Sequence, residues 1–387
     1  MRAFVFTDAS LTRHAGQFVW LSINTEKAGN AAFLGTHRIE ALPSYYVLDP
    51  ASGKVALRWV GGASVRQVER ILEDGRRAVS GTKRGVLKLL AQADRLYGEN
   101  KYAEAVEKYR GVLGKAPAGW PHYARTLESL LFSLQQIGDS KGCAETAREA
   151  YPKLRETPSS ANVAGSGLDC ALSMKEADPA RAGLVAALTL DAREVVAARR
   201  SDLAVDDISS VYLTLAAERE AAGDAGGRKT TLSDLASYLE REAARAKTPT
   251  ARVVFDSHRL SAYLQLNTPE RAVPMLEESE RDFPDDYNPP ARLAVAYKAM
   301  ERWDDALAAS DRALPKAYGP RKIGIWMARA DILTGKGEPA AARRALEQAL
   351  AEAEAFPPGQ RSEGTITALK KKLAGMPAAA APRPCGA

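Results

Sequence analysis

The chain has 387 residues, with 54 Lys and Arg against 48 Asp and Glu, a formal net charge of +6. That length calls for more than one hydrophobic core, and 45% hydrophobic with 26% charged residues is the composition of a globular protein. No apolar run approaches the roughly 20 residues of a membrane span. The basic runs "AREVVAARRSD" and "LKKKLAG" carry no interleaved aromatics, so neither a membrane nor a nucleic-acid partner is expected.

Chemistry-bearing residues are sparse. Cys143, Cys170 and Cys385 match no zinc spacing and no Cys-x-x-Cys, and His14, His37, His122 and His258 are scattered. There is no phosphate-binding glycine loop and no Gly-x-Ser-x-Gly. The expectation is no metal, no cofactor and no catalytic residue in this chain.

In chain order, "TDASL" reads as a capped turn with Asp8 or Ser10 as cap. "FVWLSIN" (18–24) reads as a short buried strand, and "TEKAGNAAFLGTHRI" as a helix capped by Thr25. "SYYVLD" and "KVALRWVG" are two strands joined by the turn "PASG". Ser64 caps a helix whose Val65, Val68, Ile71 and Leu72 share one face. Near residue 80 the composition shifts to alanine, leucine, arginine and glutamate, and strand signals stop.

The order strand, helix, strand, strand, helix, with Leu42-Pro43 before the second strand and Gly61-Gly62 before the last helix, resembles the thioredoxin fold over residues 1–79. It is most similar to the domains of thiol:disulfide interchange proteins. The resemblance implies a cis Pro43, a substrate groove at Leu42 and Pro43, and a first strand and Cys-x-x-Cys that would lie before Met1. Either the start is misplaced, the favoured expectation, or the domain is genuinely shortened. As written the chain is expected to be redox-inactive and cytoplasmic. It would be periplasmic or exported, and a thiol:disulfide oxidoreductase, if a signal peptide and the dithiol precede Met1.

The second part is repetitive. "NKYAEAVEKYRGVLGKAP", "IGDSKGCAETAREAYPKL", "NTPERAVPMLEESERDFPDD", "ERWDDALAASDRAL" and "KGEPAAARRALEQAL" share an aromatic or polar opening, a small residue and then a large apolar one. The small residues are Ala105, Cys143, Ala272, Ala306 and Ala342, spaced 38, 34 and 36 apart where copies adjoin. This resembles the 34-residue tetratricopeptide repeat. The resemblance implies an all-α superhelix over residues 80–375, with degenerate copies in 158–247 and a disordered tail, 376–387. Cys143 and Cys170 read as buried small structural residues.

Such arrays bind protein or peptide partners in a groove lined by first helices. The groove candidates are Glu128, Gln135, Lys298 and Asp331. The functional expectation is a protein-interaction scaffold joined to an incomplete α/β thioredoxin-like domain.

Overall fold

The computed structural model describes residues 5–81 and 85–376. A short helix α1 (Ala31–Thr36) precedes the strands β1 (Ser44–Leu48) and β2 (Val55–Val60) and the helix α2 (Val65–Ser80). Helices then follow in pairs: α3 (Gly85–Gly98) with α4 (Tyr102–Lys115), α5 (Tyr123–Gln136) with α6 (Ser140–Leu154), α7 (Ser160–Leu172) with α8 (Arg181–Ala198), and α9 (Val205–Ala221) with α10 (Ala225–Arg245). After the single turn α11 (Pro249–Arg252), α12 (Asp256–Gln265) pairs with α13 (Val273–Asp282), α14 (Asn288–Ala299) with α15 (Trp303–Ala313), and α16 (Arg321–Gly335) with α17 (Pro339–Ala355); α18 (Glu363–Ala374) ends the series. Among the described residues no strand lies beyond β2.

The pairing has a repeated local cause. Six connections contain a residue in the left-handed region: Asn100 (φ 59°), Gly138 (73°), Gly223 (71°), Asn267 (57°), Glu301 (56°) and Gly337 (84°). Each is followed by an amide that reaches back five residues. Lys101 donates to the Leu96 carbonyl at 2.9 Å, Asp139 to Leu134 at 3.0 Å, and Asp224 to Arg219 at 2.9 Å. Thr268 likewise donates to Tyr263 at 2.8 Å, Arg302 to Tyr297 at 2.9 Å, and Glu338 to Leu333 at 2.8 Å. This is the Schellman closure, which satisfies the last carbonyls of the first helix and turns the chain back. In five of the six, the left-handed residue stands five positions before the small residue of the repeat: Ala105, Cys143, Ala272, Ala306 or Ala342. All five small residues are fully buried, as are the large partners Tyr109, Leu276 and Leu346. A side chain no larger than Cβ or Sγ lets two helices approach, and a neighbouring large residue fills the space beside them.

The chain falls into two compact units, one of Met1–Phe18 with Ile39–Leu235 and one of Val19–Arg38 with Ala236–Ala387. In the first unit, β1 and β2 pair antiparallel, with Tyr45 opposite Trp59 and Val47 opposite Leu57. Leu57 and Trp59 pack on Val68, Ile71 and Leu72 of α2, with Val5 and Leu11 closing the cluster. The helices come very close on both sides. A Cβ on Gly75 of α2 would lie 2.5 Å from Val47, and one on Gly98 of α3 would lie 2.5 Å from Val55. Ser64 starts α2 with a capping box: its hydroxyl accepts from the Gln67 amide at 3.3 Å, and Gln67 Oε1 accepts from the Ser64 amide at 2.8 Å. Asp8 caps its 3-10 turn, accepting from the Ser10 amide at 2.9 Å.

Two sequence expectations fail. Residues 18–24 form no strand, and Val19 and Leu21 are 88% and 73% exposed. A strand needs a neighbouring strand for its ladder, and among the described residues the sheet contains β1 and β2 without this segment. Instead Asn24 folds the chain, its side chain accepting from the Glu26 amide at 2.9 Å and its carbonyl accepting from Asn30 Nδ2 at 2.8 Å. The helix expected from Thr25 shrinks to a 3-10 turn (Ala28–Asn30) and α1. Gly29, Asn30 and Gly35 within it carry poor helix propensity, and the Thr25 carbonyl is held by Gln360 Nε2 at 2.7 Å within the second unit. The sheet of residues 5–81 therefore has two strands, where the thioredoxin reading counted on a third at 18–24.

Candidate functional site

In the first unit, α2 is tied to the helical array by a buried charge network. Arg125 of α5 is 6% exposed. Its Nη1 and Nη2 grip Asp94 of α3 at 2.9 and 3.0 Å, and its Nε donates to Asp74 of α2 at 2.8 Å. Tyr109 of α4 donates to Asp94 at 2.9 Å, and His122 Nδ1 lies 2.9 Å from Asp74. Burial alone would raise the Asp74 carboxyl. The hydrogen bond from His122 and the charge of Arg125 outweigh it and hold the group below the ordinary range. Beside the network lies a cavity of about 130 Å³ between α2 and the start of α5, floored by Trp59, Ile71 and Pro158 with Arg66 and Arg70 at its rim.

A second buried cation stitches the hairpin to the array. Arg58 of β2 is fully buried. It donates to Asn100 at 2.6 Å and to the Tyr102 hydroxyl at 3.0 Å, and its guanidinium lies over the rings of Tyr97 at 5.3 Å and Phe132 at 5.8 Å. Glu40 hydrogen-bonds the Tyr102 hydroxyl and completes the set.

Glu128 and Gln135, chosen from the sequence as groove residues, line one small cavity of about 40 Å³ together with Trp59, Phe132, Asn162 and Ser166. Glu128 is 7% exposed, and its Oε1 has no hydrogen-bond partner among the described residues. Burial pushes its carboxyl up to about 8. Asp207 of α9 adds to the rise, and the Ser159 and Gln67 side chains oppose it. Asp207 is itself pushed up to about 7, by burial and by Asp206.

The other sequence candidates stand as follows. Leu42 is 54% exposed, the Leu42–Pro43 bond is cis, and the Pro43 carbonyl accepts from the Gly61 amide at 2.9 Å. In the second unit Lys298 and Asp331 meet each other at 3.8 Å, and Lys372 also pairs with Asp331. Cys143 and Cys170 are buried, as the sequence implied, but they are joined by a disulfide between α6 and α7 that the sequence reading did not anticipate. Cys385 lies outside the described residues.

Sequence reasoning passed over Asp74, Asp94, Arg125 and Trp59. A signal existed for Asp94: it falls on the apolar stripe of α3, four residues after Leu90 and three before Tyr97, where a carboxylate is stable only if paired. Among the described residues no three His, Cys, Asp or Glu side chains are grouped to hold a metal ion, and no helix is long and apolar enough to cross a membrane.

No family model matches the chain, and no curated protein matches it. Among solved structures it is similar to a tetratricopeptide repeat protein from Parabacteroides merdae, at TM-score 0.46 and 11% identity over 75% of this chain and 98% of that one. It is also similar to a chain of the APC/C hetero-tetramer Cut9–Hcn1, at TM-score 0.34 and 14% identity over 82% of this chain and 55% of that one. A third likeness is to the assembly chaperone of RpL4 (Acl4), at TM-score 0.33 and 14% identity over 75% of this chain and 97% of that one.

Proposed function

We propose that this chain is a protein-interaction scaffold: a tetratricopeptide-type array that receives partner peptides along its first helices. The observation that carries the reading is the recurrence, at one fixed offset from a buried small residue, of the turn that closes each hairpin. Hairpins of this kind leave one row of helices free to line a groove. Glu128 and Gln135 stand on a first helix, α5, at a small cavity that Trp59 of β2 also lines. The test is photo-crosslinking from a probe at Gln135 in an extract of the source organism, with the exposed Lys108 of α4 as the control position. Adducts from position 135 and not from position 108 are expected. Equal adducts from both would remove the reading.

The finer part of the proposal is that residues 39–80 are the strand–strand–helix portion of a thioredoxin-like fold used here for docking and not for exchange. The antiparallel pair β1–β2 leading through Gly61-Gly62 into α2 supports it. Exchange requires a thiolate, and among the described residues both cysteines are in the disulfide. Insulin reduction above background would refute the inactive reading. The same disulfide favours an oxidising compartment over the cytoplasm, because buried structural disulfides persist where thiols are not kept reduced.

A further inference from the structure

We propose that the small cavity beside α5 is a binding site for the ammonium end of a lysine side chain presented by a partner peptide. This rests on the reading of the array as a peptide-binding scaffold, and it names the chemistry of the guest. Glu128 is more than nine-tenths buried, and its Oε1 lacks a partner among the described residues. A buried carboxyl with one oxygen unsatisfied is costly to keep inside a protein. The walls supply what an ammonium group needs. Gln135, Asn162 and Ser166 offer oxygen acceptors, and Trp59 and Phe132 offer an apolar sleeve for the methylene stem. At about 40 Å³ the cavity has room for two or three water-sized groups, since one such group takes about 10–15 Å³. That suits a slender ammonium tip.

The charges facing Glu128 leave the position open for a cation. From α9 it meets the carboxylate Asp207, and from α2 and the α6–α7 connection the neutral Gln67 and Ser159. On its own helix, Arg125 is engaged by Asp74 and Asp94. From β2, Arg58 is engaged by Asn100, Tyr102 and Glu40. An entering ammonium ion would displace the Glu128 proton and pair with the carboxylate. Binding is therefore proton-linked, tightening by about tenfold per pH unit up to about pH 8 and flattening above it.

The experiment uses the full chain with n-butylammonium and with the capped peptide acetyl-Ala-Ala-Lys-Ala-Ala-amide, titrated by calorimetry between about pH 6 and pH 9, bracketing the Glu128 value near 8. Saturable binding that follows this pH profile, is lost with norleucine in place of lysine, and weakens about tenfold or more in Glu128→Gln is expected. Ser166→Leu, which fills the cavity without touching the carboxyl, should weaken it as well. Absence of binding, equal binding of the norleucine peptide, or wild-type affinity in Glu128→Gln would overturn the site. So would a lysine-free peptide with a free N-terminus binding more tightly, because the guest would then be a chain terminus. The two readings fail separately. If adducts from position 135 persist while the lysine peptide binds Glu128→Gln with wild-type affinity, the scaffold stands and the lysine site falls.

Discussion

Arg125 holds Asp94 through two parallel hydrogen bonds, at 2.9 and 3.0 Å, while its Nε reaches Asp74 on a different helix at 2.8 Å. One guanidinium thus joins α2, α3 and α5. Burial alone would favour the neutral form, and the two carboxylates outweigh it and keep the cation charged. The planar fork suits this task, because a bidentate pair fixes orientation as well as charge.

Removing the cation strands two buried carboxylates. Arg125→Met should therefore destabilise the first unit by about 3–5 kcal/mol, seen as a lower midpoint in urea denaturation. A loss below about 1 kcal/mol would mean that α2 is held by the Ile71 and Leu72 packing alone.

The folded-state pKa of Glu128 lies above its unfolded value, at about 8 against 4.5. Folding is then favoured with the carboxyl protonated, so its contribution is complete below the unfolded pKa and is lost as pH rises through 4.5 to about 8. The slope of unfolding free energy should approach about 1.4 kcal/mol per pH unit in that window. Asp207, pushed up to about 7, adds a loss of the same sign below about pH 7, so Glu128→Gln should reduce the slope and leave the Asp207 share. Asp74 acts with the opposite sign: its folded pKa is lowered, so its contribution holds at neutral pH and disappears as pH falls below about 4. A wild-type curve whose slope between pH 5 and pH 8 equals that of Glu128→Gln would contradict the buried state of this carboxyl.

Glu301 sits at φ 56°, in the same turn position that glycine occupies at 138, 223 and 337. A side chain in the left-handed region costs roughly 1–2 kcal/mol, and glycine gives part of that back through the entropy of the unfolded chain. Glu301→Gly should raise the stability of the second unit by about 0.5–1 kcal/mol, and Gly337→Ala should lower it by about 1 kcal/mol. Thermal melts of both variants decide it. A Glu301→Gly variant that loses stability would show that the turn is not what closes the hairpin.

Cys143 and Cys170 close a loop of 27 residues between α6 and α7. By chain entropy such a link stabilises by about 3–4 kcal/mol. Denaturation with and without dithiothreitol should show that difference, and Cys143→Ala with Cys170→Ala should match the reduced protein. Identical midpoints would mean that the cysteines are merely small core residues.

The helical part was legible because its signal is local. An alanine or cysteine at a fixed offset from a large apolar residue recurs along the chain, and Ala105, Cys143, Ala272, Ala306 and Ala342 are all fully buried. Three of the six left-handed turns, at Asn100, Asn267 and Glu301, carry no glycine to mark them. The segment 18–24 misled for a different reason. "FVWLSIN" has strand composition, but a strand is a relation between two segments, and none pairs with it among the described residues. Of the site, Glu128 and Gln135 were read as groove candidates from their helix positions. Trp59, Asp74 and Asp94 come from elements far apart in sequence, and no periodicity links them to α5.

The scaffold reading is tested most directly by the hydrogen-exchange footprint of a crosslink-identified partner peptide on the full chain. The account expects slowed exchange on α5 and α7 in the first unit, with α4 and α6 unchanged. Protection confined to α4 and α6, or none at a saturating peptide concentration, would contradict it.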